Sequence, residues 1–452
     1  MNYRKIYLFS LFLLLSQLSN GQEILNKYIE EGLANNLVVK EKNVSLEKSL
    51  LALQDAKSYF LPSVEFNASY NLANGGRTID IPLGDLLNGV YGTLNQLTQS
   101  NSFPQLENVS EQFLPNNFYD ARVRVSMPII NPDLRYQKQI RENQLQVSSY
   151  DLDIYKANLI EDIKVAYYNF CTAHIAIEVI ESSKELVERN LRDNRSLLEN
   201  GKGLPSSVLR AESEVENINA LMIEAKNREL NAIYYLNFLL NRNLDTSIQF
   251  EEQSPDWEEI DFLLQADDLS NRPEILQIST LELIQNTQLN SSKNYWVPRL
   301  NTFADFGSQA FDFEFNTQTS AYVFFGLNLG IPIFQGGRNR NQITRSEWDL
   351  KNTGYQKELL SEKLNLDLKI AKNDLRTSHA ALQTAEKKLE SSASYLKLVD
   401  RGFKEGANSL IEFIDARNQY TQAALQKTIN AYALLKAQAK LERQLQTEIN
   451  SI

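Results

Sequence analysis

Cysteine is almost absent from this chain of 452 residues, and glycine and proline are scarce, at 17 and 11. The one cysteine, Cys171, excludes an intrachain disulfide. It lies beside Phe170 in a helical pattern, which favours a small buried apolar side chain over a reactive thiol. The chain is acidic, with a formal net charge of −11. Because no basic cluster occurs, nucleic acid is not expected as a partner.

Long hydrophobic runs are absent after the N-terminus, which itself has the pattern of a secretory signal. Arg4 and Lys5 precede an apolar stretch that ends at Leu15, and small residues follow. We therefore expect a signal peptide over 1–21, cleaved before Gln22. No later run of ~18 apolar residues occurs, so no transmembrane helix is expected, and any membrane-spanning part must be strands in a closed barrel.

Helical and alternating patterns occur twice in the same order. We expect a first structural repeat over 22–250, a connector over 251–268 and a second structural repeat over 269–452. The expected strands are at about 62–72, 119–129, 298–310 and 320–332, and the expected long helices at about 133–200, 206–241, 338–401 and 409–449. Residues 23–60 are expected to form one helix. Residues 73–117, which contain several glycines and prolines, are expected to form a long loop.

Spacing supports a duplicated unit. Gly201 and Gly406 lie 205 residues apart, and the apolar heptad positions of the two longest helices are offset by the same 205 residues. A period this large indicates duplication rather than a short solenoid repeat. The sustained heptads predict coiled-coil packing, with a first helix about 100 Å long.

Four amphipathic strands of this length can cross a bilayer when tilted. Four strands cannot close a barrel, and open edges in lipid leave backbone groups without hydrogen bonds. Closure therefore requires oligomerisation. Two chains would supply eight strands with a filled interior, and three would supply twelve, which can leave a lumen.

The segment 401–416 separates two proline-free helical runs and carries two carboxylates one helical turn apart, Glu412 and Asp415. We expect this segment and the glycine turn near residue 201 to form the closed tip of a tube. Ser409 and Glu412 also fit a capping box, and acidic residues in a first helical turn are favoured by the helix dipole. Capping explains Glu412 without requiring Asp415.

The duplicated order of elements resembles that of the TolC-like outer-membrane factors. The sequences at 126–130 (Ser-Met-Pro-Ile-Ile) and 330–334 (Gly-Ile-Pro-Ile-Phe) are similar to that family's strand-to-helix junctions. The sequence at 402–416 is similar to the second of the family's turns between long helices. The resemblance covers nearly all of the chain after the signal. It implies a mainly α fold with a membrane β-barrel, in which a homotrimer forms a 12-stranded barrel and a coiled-coil α-helical periplasmic tunnel. Residues 251–268 would then belong to an equatorial segment outside the tunnel.

The resemblance also implies a function and a location. Such proteins are passive exit ducts in the outer membrane for drug efflux or type I protein secretion, gated at the periplasmic helical tip. They work with a periplasmic adaptor protein and an inner-membrane pump, contact outer-membrane lipid, and are not enzymes. No cofactor is expected.

Residue roles follow from the same resemblance. Glu412 and Asp415 correspond to the acidic ring that lines the pore constriction. The expected gate contacts are Phe403, Asn408, Ser206 and Ser207, and the glycines of the tip turns are Gly201, Gly203, Gly402 and Gly406. In some members of the family, hydrogen bonds and ion pairs hold the tip closed. Because Phe403 has no hydroxyl and Asn408 no charge, that network cannot form here, and apolar contact around Phe403 with weaker hydrogen bonds is the expected substitute. Phe403 also falls on the heptad seam, so simple packing explains it equally well.

A second hypothesis is a non-channel coiled-coil spacer or adhesin in the envelope, although a spacer has no need of four bilayer-length amphipathic strands. His174 and His379 are 205 residues apart but no ligand cluster accompanies them, so no metal site is expected. No set of nucleophile, base and orienting group indicates catalysis, and we do not expect an enzyme.

Overall fold

The computed structural model describes residues 23–313 and 318–446. The expected signal peptide over 1–21, its cleavage before Gln22 and the last residues of the helix expected to reach 449 lie outside the described residues.

Helices make up most of the described chain, and the six strands lie between them along the sequence. The helices are α1 (Glu23–Asn35), α2 (Leu37–Ser58), α3 (Leu83–Thr98), α4 (Pro132–Glu199), α5 (Pro205–Leu240), α6 (Trp257–Gln265), α7 (Pro273–Lys293), α8 (Arg338–Lys404) and α9 (Leu410–Leu445). The strands are β1 (Ser63–Asn71), β2 (Thr78–Ile81), β3 (Val109–Gln112), β4 (Phe118–Ile130), β5 (Arg299–Phe311) and β6 (Ala321–Gly330).

The expectation of one helix over 23–60 is wrong, because the chain breaks at Asn36. The Asn36 carboxamide oxygen accepts from the backbone N–H of Val38 at 2.9 Å and of Val39 at 3.3 Å, and so caps α2. Its amide group donates to the carbonyl of Leu239 at 2.9 Å. Asn36 is buried, and these bonds replace those that a continuous helix would make.

The expectation of a long loop over 73–117 is also wrong. This stretch contains β2 and β3, which pair antiparallel, and the 16-residue helix α3. The side chain of Asn108 accepts from the backbone N–H of Gly84 at 2.9 Å and of Asp85 at 3.1 Å at the start of α3. Asn88 and Asn95 hold the returning chain by bonds to the backbone of Leu106 and Phe103. The apolar residues of α3 recur at helical spacing, and side-chain amides hold this helix to the returning chain.

Contacts divide the chain into two units. The first comprises residues up to Leu51, Glu142–Asn286 and Trp348 onward, and the second comprises Ala52–Arg141 and Thr287–Glu347. Each is described in turn.

The first unit is an assembly of long helices with several buried apolar clusters. The largest joins α1, α4, α5 and α9, another joins α6, α8 and α9, and a third lies between α4 and α5. The predicted heptad positions of both long helices contribute to burial, among them Leu159, Ile163, Ala166 and Phe170 in α4 and Leu364, Leu368, Ala371 and Leu375 in α8. Each fully buried leucine, isoleucine or phenylalanine among them stabilises the fold by about 1.5–3 kcal/mol relative to exposure, and each alanine by less.

The second unit contains an antiparallel sheet in the order β1-β4-β5-β6. Residues opposite one another across the sheet share a face. One face presents large apolar side chains to the outside: Val64, Phe66, Val123, Phe306, Val323 and Phe325 are all exposed. The other face carries charged groups, including Arg124, which forms two 2.7 Å bonds to Asp305. An exposed apolar face of this extent marks a surface that contacts an apolar medium or another protein.

No helix within 23–313 and 318–446 combines the length and the apolar character needed to cross a lipid bilayer.

Candidate functional site

The C-terminal end of α8 closes through its glycines. The backbone N–H groups of Ala407 and Asn408 donate to the carbonyl of Gly402 at 2.7 and 3.1 Å, and the N–H of Gly406 donates to the carbonyl of Phe403 at 3.1 Å. Gly406 has a φ of +79°, in the left-handed region that favours glycine. These bonds satisfy the last carbonyls of α8 and direct the chain into α9.

The turn between α4 and α5 is built in a similar way. Gly201 has a φ of +70° and donates its N–H to the carbonyl of Leu198 at 2.9 Å. Pro205 is the first residue of α5, where its missing N–H costs little. Ser206 is exposed and Ser207 half-buried. In the described structure their hydroxyls make no hydrogen bond to Phe403 or Asn408, and the expected gate contacts stay a prediction.

Glu412 completes a capping box at the start of α9, as the sequence predicted. Its backbone N–H donates to the hydroxyl of Ser409 at 3.3 Å, and its carboxylate accepts from the backbone N–H of Ser409 at 2.7 Å. The carboxylate also accepts from the amide of Asn408 at 3.3 Å and from the Ser409 hydroxyl at 3.1 Å. The Ser409 backbone N–H, then the Asn408 amide and then the Ser409 hydroxyl lower the pKa of Glu412. Glu412 is therefore held in its anionic form.

Asp415 lies outside this cap. It is exposed, and its carboxylate accepts from the Gln419 side chain at 2.7 Å. Since Glu412 and Asp415 are three residues apart, they lie on one face of α9. Neither carboxylate has an ion-pair partner among the described residues, so this acidic pair presents uncompensated negative charge to solvent.

Phe403 packs on Phe413 across the turn, with ring centroids 5.3 Å apart and ring planes at 20°. Val399 and Ala416, both buried, and the partly buried Leu396 complete this cluster. The cluster fixes the start of α9 against the end of α8. Both explanations raised for Phe403, seam packing and an apolar gate contact, are compatible with this position.

A buried ion pair next to the acidic pair was missed in the sequence. Arg417, only 3% exposed, donates to the Glu214 carboxylate of α5 at 2.8 Å and to the Asn418 side chain at 2.7 Å. Burial lowers the pKa of Arg417, against the opposing effect of Glu214. One signal could have revealed it: Arg417 falls on the buried stripe of α9 between Phe413 and Thr421, where a charge needs a partner.

A second polar contact follows one turn along α9. The Thr421 hydroxyl donates to the Ser183 hydroxyl of α4 at 3.0 Å, and both residues are buried. α9 thus makes successive polar contacts with both helices of the first long hairpin.

His174 and Cys171 pack against other side chains of the first unit. His174 lies 2.6 Å from the Glu229 carboxylate through Nδ1 and packs on Phe250, with ring centroids 4.5 Å apart. Cys171 is fully buried, and burial raises the pKa of its thiol to about 12. Across 23–313 and 318–446, no group of three or more histidine, cysteine, aspartate or glutamate side chains could hold a metal ion.

The chain is similar in sequence to known outer membrane proteins. Residues 266–445 match the family model described as "Outer membrane efflux protein". Outer membrane protein TolC of Escherichia coli (strain K12) is 20% identical over 451 residues, covering 96% of this chain and 84% of TolC. The alkaline protease secretion protein AprF of Pseudomonas aeruginosa is 20% identical over 340 residues, covering 72% of this chain and 68% of AprF.

The fold is shared with solved structures. The structure of the outer membrane protein VceC from Vibrio cholerae superimposes with a TM-score of 0.75 at 13% identity, covering 94% of this chain and 97% of VceC. The chain is therefore similar over nearly its whole length to the TolC-like outer membrane efflux proteins. The family resemblance that its sequence indicated is confirmed.

Proposed function

We propose that this protein is an exit duct in the outer membrane of a Gram-negative envelope, serving efflux or type I secretion as a passive pore. The observation that carries this proposal is the exposed apolar face of the sheet, in a chain whose fold is that of outer membrane channels. Residues such as Phe66 and Phe325 are more than half exposed, at 70% and 67%. In water this surface is unfavourable, whereas in outer-membrane lipid it is stabilised.

Closure of the sheet requires more than one copy. Within the described residues, β1 and β6 are the outer strands of the sheet, and backbone groups left without partners in lipid are costly. Three copies supply twelve strands and a lumen. In this proposal the chain is a homotrimer, its strands form a 12-stranded barrel, and the helices of its two structural repeats, 22–250 and 269–452, form a periplasmic tunnel with 251–268 as its equatorial segment.

The gate lies at the helical turns. Three copies of Glu412 and Asp415 around a narrow axis would form a negative constriction that favours cations. The lowered pKa of Glu412 and the absence of any described ion-pair partner for either carboxylate support this role. Phe403, Asn408, Ser206 and Ser207 would make contacts between neighbouring copies, and the turn glycines Gly201, Gly203, Gly402 and Gly406 allow the tight chain reversal.

The duct works with a periplasmic adaptor and an inner-membrane pump, which supplies the energy. The chain itself supplies a pore and a gate. The proposal assigns the chain no catalytic role.

Neutralising the acidic pair tests the gate. We expect the variant Glu412→Gln with Asp415→Asn to form trimers that conduct in planar bilayers but have lower cation selectivity. Block by the trivalent cation hexaamminecobalt(III) from the tip side should weaken by about tenfold or more, since fixed charges at a constriction dominate multivalent binding. Neutralising Glu362 and Glu386, which are exposed on α8 far from the turn, is the matched control. Unchanged block and selectivity in the Glu412/Asp415 variant would contradict the proposed role.

A further inference from the structure

The ion pair between Arg417 and Glu214 joins the two long hairpins beside the turn. Arg417 lies in the second turn of α9, and Glu214 lies in the third turn of α5. Nη2 of Arg417 is 2.8 Å from Oε2 of Glu214, and the two side chains are only 4% and 11% exposed. The other carboxylate oxygen of Glu214 lies 3.6 Å from Nε of Arg210, whose side chain is 60% exposed.

Because it is buried, Arg417 depends on its hydrogen bond to Glu214. A guanidinium removed from water must keep a hydrogen-bonded anion, because loss of one partner leaves a buried charge without compensation. Nε of Arg417 has no hydrogen-bond partner in the described structure, so Glu214 and Asn418 are the groups that hold the side chain. Displacing α9 relative to α5 would therefore break the interaction on which Arg417 most depends.

The same helix carries the acidic pair on its other side. Asp415 and Arg417 are two residues apart, which corresponds to about 200° around a helix. Arg417 points into the packed side of α9, and Glu412 and Asp415 are exposed. The rotation of α9 that satisfies Arg417 is therefore the rotation that sets the direction of both carboxylates. The buried hydrogen bond from Thr421 to Ser183 fixes the helix again one turn along.

We propose that Arg417 and Glu214 are positioning residues for the gate: their ion pair fixes the rotation of α9 against α5 and so aims Glu412 and Asp415. This inference rests on the proposed function, since it presumes that the acidic pair lines a constriction.

The test replaces the pair without leaving a lone charge. In Arg417→Met with Glu214→Leu, apolar groups of similar size keep the packing but lose the directional bond. We expect this variant to form trimers and conduct, with hexaamminecobalt(III) block weakened about tenfold, which is within the range of coupling between two sites. The charge swap Arg417→Glu with Glu214→Arg, made together with Arg210→Gln so that the new arginine has no like charge beside it, restores the pair, and we expect it to recover most of the block.

A matched control exists in the same hairpin. Arg195 and Glu212 form a 2.7 Å ion pair between α4 and α5, with side chains 54% and 41% exposed. We expect Arg195→Met with Glu212→Leu to keep the block of the unaltered protein. If the first variant does not assemble, Arg417→Leu with Glu214→Met, a second apolar pair that leaves no lone charge, takes its place with the same expectation.

The outcomes separate this inference from the function on which it rests. If neutralising Glu412 and Asp415 leaves block unchanged, the acidic constriction itself is wrong. If that change weakens block but the Arg417 and Glu214 variants behave like the unaltered protein, the positioning role is overturned. A charge swap that assembles but leaves block as weak as in the apolar variant would also overturn it.

Discussion

Charged residues of the first unit follow two distinct patterns. Glu412 and Asp415 are exposed and form no ion pair with any residue that the structure describes, whereas Arg417 and Glu274 are largely buried and paired. Enclosed charges require partners because their desolvation is costly. Exposed charges need no partner for stability. The position of Glu412 and Asp415 at the start of α9 is therefore compatible with a role in the gate.

Glu274 provides a prediction about pH. Burial alone would raise its pKa, but hydrogen bonds from Arg272 and the charge and hydrogen bond of Arg443 lower it from an ordinary 4.5 to about 2. Because the folded-state pKa is depressed, the stabilisation is complete above pH 4.5 and is lost as pH falls towards 2. We expect Glu274→Gln to lower the thermal unfolding midpoint at pH 7 and to flatten its decline between these pH values.

Circular dichroism melts over a pH series measure this effect. The control is Glu390→Gln, which removes an exposed partner of Lys387 and should leave the midpoint at pH 7 nearly unchanged. An equally steep decline between pH 4.5 and 2 in Glu274→Gln and in the unaltered protein would contradict the assignment.

The capping box provides a second prediction at this scale. Ser409→Ala removes the hydroxyl that accepts from Glu412, and the loss of such a cap costs about 1 kcal/mol. Ser409→Thr retains the hydroxyl and should keep most of that stability. Denaturant unfolding of the two variants compares them directly, and equal loss in both would show that the hydroxyl is not the stabilising group.

At the scale of elements, the sequence predicted helix α4, but it did not predict helix α3 or the break at Asn36. Helix α4 spans Pro132–Glu199, and an apolar heptad pattern with no proline or glycine from 133 to 200 had indicated it. Helix α3 also has apolar residues at helical spacing, but its glycines and the surrounding prolines favoured a loop. The break at Asn36 is decided by one buried carboxamide, which caps α2 locally and also bonds to Leu239, 203 residues away.

The same limit applies to the candidate site. Glu412 and Ser409 were predicted as a capping box because their partners are three residues apart. The partner of Arg417 lies 203 residues away on another helix. A single sequence indicates that Arg417 needs an anion but does not identify Glu214.

Replacing a turn glycine and a helix glycine by alanine should change stability in opposite directions. Gly406 has a φ of +79°, so Gly406→Ala should destabilise the protein by about 1–2 kcal/mol, although the added methyl group has open space. Gly354 lies inside α8, also with open space, and Gly354→Ala should stabilise it by about 0.5–1 kcal/mol. Denaturant midpoints measure both changes, and shifts in the same direction would contradict this explanation.

At the scale of the whole molecule, the proposed assembly rests on the sheet, which among the described residues exposes an apolar face and has two edge strands. In the proposed trimer, other copies and lipid would complete the surroundings of this sheet. A structural spacer would need neither feature. The account therefore depends on assembly into a membrane pore more than on any single residue.

Single-channel recording of the purified, unaltered protein in planar bilayers tests this central claim most directly. The account predicts trimers that migrate anomalously on gels until heated and that insert to give uniform, cation-selective conductance steps. A protein that remains a soluble monomer, or that inserts without discrete conductance, would contradict it.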